Sequence, residues 1–166
     1  MIKAKRASLA VLALMVIPMA QAQTVTIPSY VEFAPGVDVT AAVRDECQLQ
    51  TKLQDFIVQY GKGMDIVLSD NPEGAEGRYV MLEYTHVVGF GGGTWSGAKS
   101  LLVSGEVFEG GKLIGSFTAL RYSGGGAFGN FKGTCAILGR CAKALGKDIA
   151  RFLKNPVIGA KLGDRH

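Results

Sequence analysis

Residues 89–135 read GFGGGTWSGAKSLLVSGEVFEGGKLIGSFTALRYSGGGAFGNFKGTC, and this stretch decides the fold. Two apolar runs, Ala98 to Phe108 and Lys112 to Tyr122, meet at Glu109-Gly110-Gly111-Lys112. Both central residues of a type I′ turn need positive φ, which glycine adopts without a Cβ clash. The pattern predicts a β-hairpin whose register starts with Glu109 opposite Lys112. Val107 then faces Ile114, Val103 faces Thr118 and Leu101 faces Leu120. That face is the more continuous apolar one and is expected to lie beneath helices. The other face carries Phe108 opposite Leu113, Ser104 opposite Phe117 and Leu102 opposite Ala119, with Glu106 and Arg121 nearby. Leu102, Phe108, Leu113 and Phe117 exceed what the outer face of a lone antiparallel sheet needs. They form a candidate partner face, unless an N-terminal arm covers them.

The open end of the hairpin carries two glycine-rich loops, Gly89 to Gly97 and Gly124 to Gly129. Phe90, Trp95, Phe128 and Phe131 lie in or beside them. One reading has the glycines satisfy φ while the rings fold back to plug the sheet end. The other has loops on a rigid scaffold present the rings to a partner, which makes these four the candidate binding residues.

Outward from the hairpin, Arg78 to Val88 alternates apolar and polar and predicts a third strand. Met64 to Leu68 predicts a fourth. Thr40 to Tyr60 predicts one helix, with Leu49, Leu53, Phe56, Ile57 and Tyr60 at helical spacing and Gly61 as its stop. Thr134 to Leu153 predicts a second helix, with Leu138, Cys141, Ala142, Leu145, Ile149 and Phe152 in one stripe. Gly139 and Gly146 weaken it or let it approach the sheet closely. Gln23 to Phe33, broken by Pro28, reads as an extended arm or edge strand. The expected order is β-α-β-β-β-β-α: an α+β fold with two helices on one face of an antiparallel-rich sheet. The domain spans 23–156, and Val157 to His166 reads as a flexible tail.

The first 22 residues read as a signal peptide. A basic start (Lys3, Lys5, Arg6) precedes the apolar run Ala7 to Ala20, and Ala20-Gln21-Ala22 supplies a cleavage site before Gln23. The expected compartment is the periplasm, with no stable membrane anchor after cleavage. Cleavage takes the formal net charge from +4 to +1. The basic character therefore belongs to the leader, and no nucleic-acid partner is expected.

Export favours disulfide formation, and the chain has three cysteines, Cys47, Cys135 and Cys141. One bond and one remaining thiol is the simplest outcome. At 1.5 Å per helical residue, Cys47 stands ~21 Å above the glycine-loop end, Cys141 ~12 Å and Cys135 ~3 Å. Cys47 with Cys141 is the less mismatched pair, and Cys135 is the alternative to Cys141.

No constellation for catalysis, metal or cofactor emerges. Gly92 to Ser100 nearly spells a phosphate loop, but Ala98 separates Gly97 from Lys99 and the loop leads into a strand. Gly124-x-Gly126-x-x-Gly129 matches a dinucleotide fingerprint formally, but Asp148 falls inside a helix. His86, in phase with Tyr84 and Val88, reads as a part-buried strand histidine. Glu83 and Glu106 are the only carboxylates that suggest paired acid–base chemistry, and nothing in sequence sets their separation.

The element order is similar to that of the small domain of the curli secretion-channel lipoprotein and of lipoproteins that activate penicillin-binding proteins. Gly-Gly-Gly-Thr-Trp-Ser-Gly-Ala-Lys-Ser (91–100) and Gly-Thr-Cys-Ala-Ile-Leu-Gly-Arg-Cys (133–141) resemble an uncharacterised family of small bacterial exported proteins. The resemblance implies an envelope protein and no catalytic residues. The expected function is a non-enzymatic periplasmic binding or assembly module acting through protein contacts, with an envelope protein or a second copy as partner. The alternative is a small-ligand binder, for glycan or lipid, with its pocket at the glycine-loop end.

Overall fold

The computed structural model describes residues 24–89, 98–124 and 133–164. Its elements are β1 (Thr24–Pro28), β2 (Glu32–Phe33), α1 (Ala41–Glu46), α2 (Leu49–Tyr60), β3 (Asp65–Ser69), β4 (Arg78–Val88), β5 (Lys99–Glu109), β6 (Lys112–Ser123), α3 (Thr134–Phe152) and β7 (Ala160–Gly163). The sheet runs β3-β1-β4-β5-β6-β7, with β2 beside the later half of β4. The β4–β5–β6 centre is antiparallel, and β1, β2, β3 and β7 pair in parallel. Helices α2 and α3 cover one face, so the α+β architecture is the expected one.

The central meander forms where expected because its residue types suit it. Gly110 and Gly111 have φ of 56° and 75°, as the tight turn requires. Glu109 pairs with Lys112 and Phe108 with Leu113. The register then shifts by one residue, so that Val107 faces Gly115 rather than Ile114. Every later pair moves with it: Val103 faces Ala119, Leu102 faces Leu120 and Leu101 faces Arg121. Side chains alternate with period two, so one extra residue at Ile114 inverts the rest of β6. Phe117 therefore turns to the helix side, where it meets Phe152 edge-on at 4.9 Å. Gly105 is what makes room: a Cβ there would stand 2.4 Å from the Phe117 ring.

Two other expectations change. The N-terminal segment is no arm, and only its short β2 lies at an edge. β1 lies between β3 and β4, with Val25 and Ile27 fully buried and Thr26 nearly so. Pro28 is tolerated because it is the last residue of the strand. The tail after Pro156 is not wholly loose either, since it returns as β7. Ser116 donates its backbone N–H to Val157 at 3.1 Å, and Asp164 donates its own to Leu120 at 2.8 Å. These bonds hold β7 along the free edge of β6.

The helix layer is built by apolar burial. Leu49, Leu53 and Ile57 of α2 and Leu138, Leu145 and Ile149 of α3 are fully buried. Each stabilises the fold by about 1.5–3 kcal/mol relative to exposure. Gly146 lets α3 approach α2, not the sheet: a Cβ there would lie 2.4 Å from that of Phe56. Gly139 faces open space. Buried Arg78 donates to the Leu153 carbonyl at 2.8 Å and so satisfies the C-terminus of α3.

The first predicted helix is broken. Thr40 caps α1 through its Oγ1, which accepts from the Val43 N–H at 3.3 Å. Cys47 ends α1, and Gln48 enters the left-handed region at φ 52° before α2 begins. Lys52 Nζ bonds the Cys47 carbonyl at 2.7 Å across the break. The disulfide is Cys47–Cys135, with a Cα separation of 4.7 Å, and Cys141 is a buried free thiol. This overturns the preferred Cys47–Cys141 pairing. Heights counted along one continuous helix misplace Cys47, because the break swings α1 to the start of α3.

Candidate functional site

The aromatic set at the glycine loops, Phe90, Trp95, Phe128 and Phe131, lies outside the described residues. What the structure does show at that end is Lys99, the first residue of β5. Its side chain is buried, with Nζ 3.5 Å from the Gly89 carbonyl. It begins a strand rather than a helix, as a phosphate loop would not.

The partner-face residues divide. Phe108 and Leu102 are half-buried on the sheet face away from the helices, and Leu113 is 40% exposed. Phe117, buried in the core, does not join them. Among the described residues, the N-terminal segment leaves this face uncovered, because β1 and β2 lie within the sheet.

The outer face holds a groove of about 690 Å³ that crosses β4, β5 and β6 and reaches β7. Strand alternation builds it. On β4, Tyr79, Met81 and Glu83 point outward while Val80, Leu82 and Tyr84 enter the core. On β5, Ser104, Glu106 and Phe108 point outward on either side of Gly105. On β6, the shifted register brings Ser116 opposite Glu106 and Thr118 opposite Ser104. Lys161 of β7 and Glu73 of the β3–β4 loop stand at the rim. Tyr79 and Phe108 stack in the wall, with ring centroids 5.0 Å apart and planes 12° apart. Met81, 39% exposed, is the apolar lining side chain most open to solvent.

Sheet register also places the paired carboxylates. Glu106 faces Met81 and Glu83 faces Ser104, so the two glutamates are diagonal neighbours on the outer face. The register irregularity between Tyr84 and His86 turns Val87 into the core and leaves His86 exposed, not part-buried. Neither Tyr79 nor Met81 was singled out by motif, though the alternation of β4 already set them on one face. Lys161 carries no sequence signal, because β7 exists only through its bonds to β6.

Two polar features near α3 are structural. Arg121 reaches Asp148 at 2.5 Å and Asp164 at 2.8 Å. Burial opposes its charge, but the hydrogen bonds and attraction of Asp148 and Asp164 prevail and hold its pKa above the usual value. Burial first, and then Asp164, pushes the Cys141 thiol up to about 11. No His, Cys, Asp or Glu group among the described residues could hold a metal ion. Among the same residues, no helix is long and apolar enough to cross a membrane.

No family model matches the chain, and no curated protein matches it. Several solved structures are similar to the chain, among them the following two. An uncharacterised protein is 16% identical with a TM-score of 0.53, over 79% of this chain and 92% of that one. A dodecamer of PelC from Paraburkholderia phytofirmans is 13% identical with a TM-score of 0.44, over 78% and 87%. The first likeness shows the fold alone. A relationship to the curli channel lipoprotein is not shown.

Proposed function

We propose that this chain is a non-enzymatic binding or assembly module of the bacterial envelope, working through protein contacts on its open sheet face. The observation that carries the reading is the groove itself. A sheet covered by helices on one side leaves a concave outer side with Met81, Phe108 and Leu113 at or near solvent. Apolar groups gathered in a polar rim mark an interaction surface. Export to the periplasm fits the leader in the sequence, and the Cys47–Cys135 bond suits an oxidising compartment.

A small ligand is the second reading, favoured by the volume of about 690 Å³, which falls within the ~300–1,000 Å³ range of ligand sites. On this reading the pocket is the groove. Photo-crosslinking in cells separates the two. A crosslinking residue at Ser104 should give a discrete protein adduct, and one at Asp55, exposed on α2, should not. No adduct from Ser104, with a small molecule carried through native mass spectrometry, would establish the ligand reading instead.

A further inference from the structure

We propose that the groove receives helix α3 of a second copy of this chain, in a head-to-tail contact. The inference rests on the open sheet face being a protein-contact surface. Lys143, Lys147, Arg151 and Lys154 are exposed on α3 and its immediate C-terminal end. Their spacing of four, four and three residues sets them on one stripe about 16 Å long. Asp148, the acid within that span, is turned to Arg121. The stripe lies on the helix side of the molecule, opposite the groove.

The groove is its electrostatic complement. Glu73, Glu83 and Glu106 line it against the single cation Lys161. Among the described residues, neither these three carboxylates nor the four stripe cations has an ion-pair partner. Diagonal strand neighbours such as Glu83 and Glu106 stand ~7–8 Å apart. Successive stripe cations lie about 6 Å apart along the helix, within reach of that spacing for flexible side chains. Their aliphatic stems can lie over Met81 and Phe108 while the charged ends reach the rim.

A second copy is the occupant because one chain carries both surfaces, on opposite sides. The contact is heterologous, so it propagates into a ring or a filament according to the rotation between copies. The near-neutral charge of the chain without its leader, +1, puts little net repulsion in the way.

Charge reversal on purified leaderless chain tests this by light scattering coupled to size exclusion. The unaltered chain should self-associate, and weaken about tenfold as salt rises from ~0.01 to ~0.15 M and the screening length falls from ~30 to ~8 Å. Glu83→Lys with Glu106→Lys should abolish self-association, as should Lys143→Glu with Lys147→Glu. Each pair of substitutions is exposed, and an intact disulfide and helical signal confirm the fold. Mixing the two variants should restore assembly with the two kinds of copy alternating, since the unaltered stripe of one meets the unaltered groove of the other and the two reversed surfaces also attract each other. Combining all four substitutions in one chain should restore assembly. A monomeric unaltered chain at low salt overturns the inference, as does a mixture that fails to assemble. If Ser104 still captures a different protein in cells, the contact-surface reading survives without the second copy. If Ser104 captures nothing, that reading falls as well.

Discussion

Buried polar side chains set the chemistry of single residues here. Tyr84 is fully buried, and its hydroxyl donates to the Leu49 carbonyl at 2.8 Å; burial also raises its pKa. Cys141 is 1% exposed on the buried face of α3, and its Sγ lies 3.8 Å from the Lys99 carbonyl. With its pKa pushed from 9.0 to about 11, the folded chain holds the thiol proton more tightly than the unfolded chain does. The stability this confers is complete below pH 9 and is lost as pH rises through about 11. Cys141→Ser should therefore flatten part of the alkaline decline in urea midpoint between pH 9 and 11, leaving neutral pH behaviour similar. The native thiol should also resist iodoacetamide at about pH 8, because the thiolate is the nucleophile. Rapid alkylation of Cys141 in folded protein would contradict the burial.

Within β6, one inserted residue decides what the outer face offers. Strand periodicity placed Phe117 and Leu102 on the same face, and the shift at Ile114 separates them. Phe117→Ala should cost about 3–5 kcal/mol, the range for emptying a core aromatic site. Leu102→Ala, at a half-buried outer position, should cost less than about 1.5 kcal/mol. Equilibrium denaturation of both variants checks this. Equal costs would mean that the two still share a face and that the register shift is absent. The element boundaries were far easier to read than this pairing. Apolar alternation marked β4, β5 and β6, and Gly110-Gly111 marked the turn between the last two. A bulge has no composition of its own; it is selected by the packing of Phe117 over Gly105 and against Phe152.

The whole molecule is closed by a bond between distant parts of the chain. Cys47 and Cys135 are separated by 88 residues and tie the end of α1 to the start of α3. On the chain-entropy account, a loop of that length stabilises by about 4.5 kcal/mol. Cys47→Ser or Cys135→Ser should lose most of that stability, and non-reducing peptide mapping of the unaltered protein should recover Cys47 joined to Cys135. Recovery of Cys141 in the bonded peptide would contradict the fold. Local rules alone specified the α+β class, the central meander, the span of α3 and the likelihood of a single bond, because period, turn residues and helix stops act over a few neighbours. The place of β1 inside the sheet, the existence of β7, the break at Gln48 and the choice of Cys135 were decided by tertiary structure. Each depends on partners 40 to 90 residues away, whose backbone hydrogen bonds and buried area no local pattern encodes. The groove belongs to the same class: its residues were visible one strand at a time, but only the register between strands brought Tyr79, Phe108, Glu83, Glu106 and Lys161 to one face.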